Sequence, residues 1–150
     1  MGFLFAENRI KFEMDLQRRK MKEKLSILLV EDNVLNQRIV TFSLKKFNHD
    51  IEIANNGLEA LNVFKEKKFD VILMDIMMPV MDGLEASLKI REYEKENNIV
   101  DPTPIIAVTA NTMDNDREKC LAHGMNEFIA KPFDVSKLNF VLTDLQINSF

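Results

Sequence analysis

The feature that most constrains this chain is an alternation, repeated five times from residue 25 onward, of a short apolar run and a longer segment of helical period. The runs are Ile27-Leu28-Leu29-Val30, Ile51-Glu52-Ile53-Ala54, Val71-Ile72-Leu73-Met74, Ile105-Ile106-Ala107-Val108 and Glu127-Phe128-Ile129-Ala130. Runs this rich in aliphatic residues fit strands buried on both faces, as in a parallel sheet. The segments between them predict helices. In 34–47, Leu35, Ile39 and Phe42 form one stripe and Val40, Leu44 and Phe47 a neighbouring one, together a wide buried face. In 57–67 the stripe is Leu58, Leu61 and Phe64. The segment 83–97 opens on Asp82-x-x-Glu85, a capping-box-like start. A fourth helix over about 114–123 ends at Gly124, which suits a left-handed cap, and a fifth over about 134–146 carries Leu138, Val141 and Leu145. Strand and helix in strict alternation imply an α/β domain, doubly wound around a five-stranded parallel sheet with right-handed crossovers.

Residues 1–24 fall outside that rhythm and form an N-terminal extension or linker to a domain of residues 25–150. Ile10, Phe12, Met14 and Leu16 alternate with charged residues, which predicts a half-buried strand, and a basic run over 18–24 reads as a solvated linker. The extension holds seven Lys/Arg against four Asp/Glu, while residues 25–150 hold thirteen against twenty. An acidic main domain argues against direct nucleic-acid contact. The lone Cys120 excludes an internal disulfide and fits a reducing, cytoplasmic setting. No apolar run approaches the roughly 18 residues of a membrane span, and Met1–Ala6 makes a poor signal peptide. The four glycines are far apart, which rules out glycine-rich phosphate loops.

In an open parallel sheet, ligands bind beyond the carboxyl ends of the strands. The first polar residues after the runs are Glu31 and Asp32, then Asp75, Thr109 and Lys131. Taken singly each has a plain reading: Asp32-Asn33 as a helix cap, Asp75 as a turn residue, Thr109 as a strand end, Lys131 as a surface lysine. Their coincidence at the strand ends of one sheet is what carries chemistry. Three carboxylates together repel, and a hard cation such as Mg²⁺ relieves that repulsion while leaving room for phosphate oxygens. With an ammonium from Lys131 and a hydroxyl from Thr109, the set describes a site that brings a phosphoryl group to a carboxylate, with Asp75 as the candidate nucleophile.

The stretches Ile27–Asn33, Met74–Gly83, Val108-Thr109-Ala110 and Ala130-Lys131-Pro132-Phe133 resemble, in order and spacing, the receiver domain of two-component phosphorelay response regulators. The resemblance covers 26–147 and implies a flavodoxin-like sheet of strand order 2-1-3-4-5. It implies that Asp75 is the phospho-acceptor, with Mg²⁺ held by Glu31 (through water), Asp32, Asp75 and the Met77 carbonyl. Lys131 and Thr109 would contact the phosphoryl group, with Thr109 and Phe128 as switch residues on a surface of the fourth helix, fifth strand and fifth helix. Lys131-Pro132 is expected to be cis. The implied partner is a histidine kinase or a His-phosphotransfer protein, and the domain is a signalling module rather than an enzyme in the usual sense.

Two rival readings fail on particular residues. An aspartyl-phosphate phosphatase of the haloacid-dehalogenase kind would carry Asp-x-Asp after its first strand, where this chain has Glu31-Asp32-Asn33. A flavodoxin-like flavin carrier would want a Ser/Thr/Gly-rich loop there, where this chain has acids. Met78, Met81 and Cys120 read as core filling, and His49 and His123 are isolated. The chain ends soon after its fifth helix, so a C-terminal DNA-binding output domain is not expected within it. Asn36-Gln37 after Glu31-Asp32-Asn33 is similar to receivers fused behind hybrid histidine kinases, and residues 10–16 look like the closing strand of such a kinase's ATP-binding domain.

Overall fold

The computed structural model describes residues 6–10, 24–110, 114–131 and 135–148. Five strands and five helices alternate: β1 (Ser26–Val30), α1 (Val34–Lys45), β2 (Asp50–Ala54), α2 (Gly57–Glu66), β3 (Val71–Asp75), α3 (Gly83–Glu96), β4 (Ile105–Thr109), α4 (Asp114–Ala122), β5 (Glu127–Ala130) and α5 (Val135–Asn148). The sheet is parallel throughout, in the order β2-β1-β3-β4-β5.

Because side chains alternate across a strand, the three central strands feed two separate cores. Leu28, Val30, Ile72, Met74, Ile105 and Ala107 face one way, against Leu61 and Phe64 of α2, Ala86 and Ile90 of α3, and Cys120 of α4. Ile27, Leu29, Val71, Leu73, Ile106 and Val108 face the other, against Leu44 of α1 and Leu138 and Leu142 of α5. Truncating one of the fully buried aliphatics, such as Leu28 or Ile72, to alanine costs about 2–5 kcal/mol.

The helix starts follow local chemistry. Asn33, Asn56 and Asp82 are N-caps whose side chains accept from the backbone N–H groups of Asn36, Glu59 and Glu85. Each such cap contributes about 1 kcal/mol. At Gly124 the backbone is left-handed (φ 87°) and an added Cβ would press on the Arg91 side chain, so glycine is required on two counts.

Three expectations need correction. Leu35, Ile39 and Phe42 are 55–67% exposed, and Phe47 is 39% exposed, so they do not line a buried face. Residues advance about 100° each along a helix. Leu35, Ile39 and Phe42 therefore stand half a turn away from Gln37, Val40 and Leu44, which make the inner face. Leu58, in the first turn of α2, is likewise exposed while Leu61 and Phe64 are buried. Residues 6–10 form a helical turn that is exposed throughout, which contradicts the strand expected to begin at Ile10. Phe12, Met14 and Leu16 lie outside the described residues.

Candidate functional site

The parallel register brings the strand ends to one edge. Glu31 continues the ladder beyond β1, its N–H donating to the Ala54 carbonyl at 3.0 Å. Asp75 ends β3 opposite Val108, Thr109 ends β4 opposite Ala130, and the Lys131 N–H donates to the Thr109 carbonyl at 2.7 Å. The α3 N-terminus closes on this edge at Gly83, where a Cβ would collide with the Asp75 carbonyl. In the loop between them Val80 sits at φ 73°, a strained conformation for a β-branched residue, with the Met81 N–H donating to the Pro79 carbonyl across it at 3.0 Å.

Lys131 Nζ bonds Glu31 Oε2 at 2.7 Å and Asp75 Oδ2 at 3.2 Å. The carboxylates of Glu31, Asp32 and Asp75 each place an oxygen within 4.8 Å of the others. Glu31 and Asp75 are buried and Asp32 is exposed, so the cluster opens to solvent on one side. Burial pushes the Asp75 carboxyl up to about 6, with repulsion from Glu31 adding to the rise and Lys131 opposing it. Burial also acts to raise Glu31, but hydrogen bonds from Lys131 and Asn36 outweigh it and hold that carboxyl below its ordinary value. Burial disfavours the Lys131 ammonium, yet its bonds to Glu31 and Asp75 keep its pKa above the ordinary value. One ammonium thus faces three carboxyl groups, an all-oxygen donor set short of positive charge. That suits a hard divalent cation better than a soft one.

The remaining expected residues take the following places. Thr109 is buried, and strand alternation puts it on the same face as Ala107. Phe128 pairs with Ala107 across β4 and β5 and packs, half-buried, against that same core. The two switch candidates are therefore diagonal neighbours on one face of the sheet. Met77 follows Asp75 in the loop with its side chain exposed, whereas Met78 and Met81 are buried. Pro132 lies outside the described residues.

Beside the cluster lies a polar network built on Asn33, Asn36 and Gln37, which the sequence marks only as a likeness to hybrid-kinase receivers. Glu31 Oε1 accepts from the Asn33 N–H and from Asn36 Nδ2, both at 3.2 Å. Gln37, buried in α1, donates through Nε2 to the Glu31 carbonyl at 2.6 Å and to Asn55 Oδ1 at 2.9 Å. A polar residue at position 37 in the inward phase of α1 is the signal that could have marked it.

The family model of the response regulator receiver domain matches residues 27–143. The chain belongs to that family. As a receiver domain of two-component phosphorelay signalling it has relatives among histidine kinases. It is 43% identical over 117 residues to hybrid signal transduction histidine kinase K of Dictyostelium discoideum, covering 76% of this chain and 10% of that protein. It is 40% identical over 141 residues to histidine kinase 5 of Arabidopsis thaliana, covering 79% and 15%. The receiver thus spans only a small part of these relatives' length.

Among solved structures, the receiver domain of Saccharomyces cerevisiae Ssk1, crystallised with the histidine phosphotransfer protein Ypd1, superposes with a TM-score of 0.77 at 37% identity. The match covers 83% of this chain and 90% of that one. The receiver domain of a Pseudomonas aeruginosa sensor histidine kinase, with a magnesium ion coordinated in its active-site cleft, gives 0.72 at 38% identity, covering 83% and 98%. Among the described residues, no helix is long and apolar enough to cross a membrane.

Proposed function

We propose that Asp75 of this receiver domain accepts a phosphoryl group from a phosphohistidine on a histidine kinase or a His-phosphotransfer protein. The observation that carries this is the Lys131 ammonium bridging Glu31 and Asp75 beside a third carboxylate. An Asp75 carboxylate oxygen attacks phosphorus, the P–N bond breaks, and the departing imidazole nitrogen keeps the bonding pair and takes up a proton. Lys131, already within reach of Asp75, turns its ammonium to the incoming phosphoryl oxygens, and the Thr109 hydroxyl supplies a second donor. Glu31, Asp32, Asp75 and the Met77 carbonyl are the groups that would hold Mg²⁺, whose chemistry here is to supply the positive charge that the carboxylates and phosphoryl oxygens lack. As Thr109 moves toward the phosphate, Phe128 on the same sheet face turns into the space beside it. The surface of α4, β5 and α5 changes with it, giving a partner two states to distinguish.

The exposed apolar stripe Leu35–Ile39–Phe42 supports a protein donor, since it lies on α1, whose N-cap Asn33 follows Asp32 in the chain. The hybrid histidine kinases among its relatives support a place within such a kinase; residues 1–24 then serve as a linker, and the setting is cytoplasmic. The test is labelling with acetyl phosphate. An alkali-labile acyl phosphate should form with Mg²⁺ and not in EDTA, and Asp75→Asn should abolish it. Label persisting in Asp75→Asn would place the nucleophile elsewhere.

A further inference from the structure

A glutamate at position 31 brings one more rotatable bond to the acidic cluster than an aspartate would, and repulsion from Asp32 and Asp75 favours rotamers that swing it away. Something must hold it. Lys131 takes Oε2, and Oε1 is held by two donors from the start of α1: the Asn33 N–H and Asn36 Nδ2. Asn36 is fixed for this task because its own N–H donates to the Asn33 side chain at 3.0 Å, locking the first turn of the helix. A carboxylate oxygen only accepts, so the Asn36 group facing it is the NH₂. Asn36 therefore reaches back past the cap residue to a carboxylate, much as an N3 Glu or Gln reaches back to a cap N–H in a capping box.

We propose that Asn36 is a positioning residue for the cation site, acting through Glu31: it holds that carboxylate in the rotamer that faces Asp32 and Asp75. The reading rests on Mg²⁺ binding at this cluster. Outer partners of metal-site carboxylates typically change metal affinity 10–100-fold when removed. Asn36 shares its oxygen with a backbone donor and Glu31 would reach the ion through water, so the low end is an upper bound and removing Asn36 should weaken Mg²⁺ severalfold, up to about tenfold.

A double-mutant cycle tests this without relying on phosphorylation. Mg²⁺ affinity is read from the melting-temperature rise on titration with MgCl₂. In the parent, Asn36→Leu, which keeps the shape without the donor, should raise the Mg²⁺ Kd severalfold, up to about tenfold. The melting temperature in EDTA should fall as well, because a bond to a charged group is lost, so the Kd is read from the rise above each variant's own EDTA value. In a Glu31→Asp background the carboxylate is one methylene shorter and leaves Asn36 without its acceptor, so Asn36→Leu should then change the Kd less than twofold. Asn36→Ala takes its place if Asn36→Leu loses its helical circular dichroism. An unchanged Kd in the parent overturns the proposal, as does equal weakening in both backgrounds, which would assign the effect to α1 itself. A parent protein indifferent to millimolar Mg²⁺ overturns the cation reading instead.

Discussion

His49 precedes β2 and is 8% exposed, with its Nδ1 accepting from the Leu25 N–H at 3.1 Å where the chain enters β1. That bond assigns the ring proton to Nε2. Burial pulls the imidazole pKa below its ordinary value, while the Asn139 side chain of α5 opposes the shift. A folded pKa below the unfolded one, about 6.5, gives stability that is present above pH 6.5 and lost as pH falls through the folded value. Protonation would also turn Nδ1 from acceptor to donor against an N–H. His49→Asn keeps an acceptor for Leu25 without a titrating ring. Between pH 7.5 and 5 the melting temperature of the parent should therefore fall more than that of His49→Asn. Parallel profiles would remove His49 from the pH dependence. Nothing in the sequence distinguished His49 from any isolated histidine, because its environment is made by Leu25 and α5, far along the chain.

The elements were legible to different depths. β1, β3, β4 and their polar ends could be read directly, since two-sided burial leaves an uninterrupted apolar run and the next residue is forced to the edge. α1 misled because it is apolar on both faces: the inner one packs, and the outer one is exposed. The charged segment Arg91–Glu96 also hid a contact. Arg91 donates to Glu94 at 2.6 Å, to the carbonyls of Thr103 and Gly124 at 2.9 Å, and to the Asn126 side chain at 2.8 Å. Glu94 also accepts from the Thr103 N–H, so α3 is tied to the strand entries of β4 and β5 through a nearly buried ion pair. Removing one partner strands the other charge. Arg91→Ala should cost about 3–5 kcal/mol in urea unfolding, and adding Glu94→Gln, which removes the stranded charge but keeps an acceptor for the Thr103 N–H, should recover part of it. A loss below 1 kcal/mol in Arg91→Ala would mean that water replaces the guanidinium.

Over the whole molecule, both cores draw their described residues from Leu25 onward, and Ala6–Ile10 are exposed. Deleting residues 1–23, which retains the Lys24–Asp50 ion pair, should therefore shift the melting temperature by no more than a few degrees. A larger drop would mean that the extension packs on the domain. The bond from Lys131 to Glu31 joins positions 100 residues apart, the first strand to the last. During synthesis, then, Asp75 leaves the ribosome well before its lysine does. A chain halted after β4 carries the three carboxylates but not the ammonium that bridges two of them. The acidic edge gains its counter-charge only when the final strand is in place, so the unfinished domain bears the full mutual repulsion of its carboxylates.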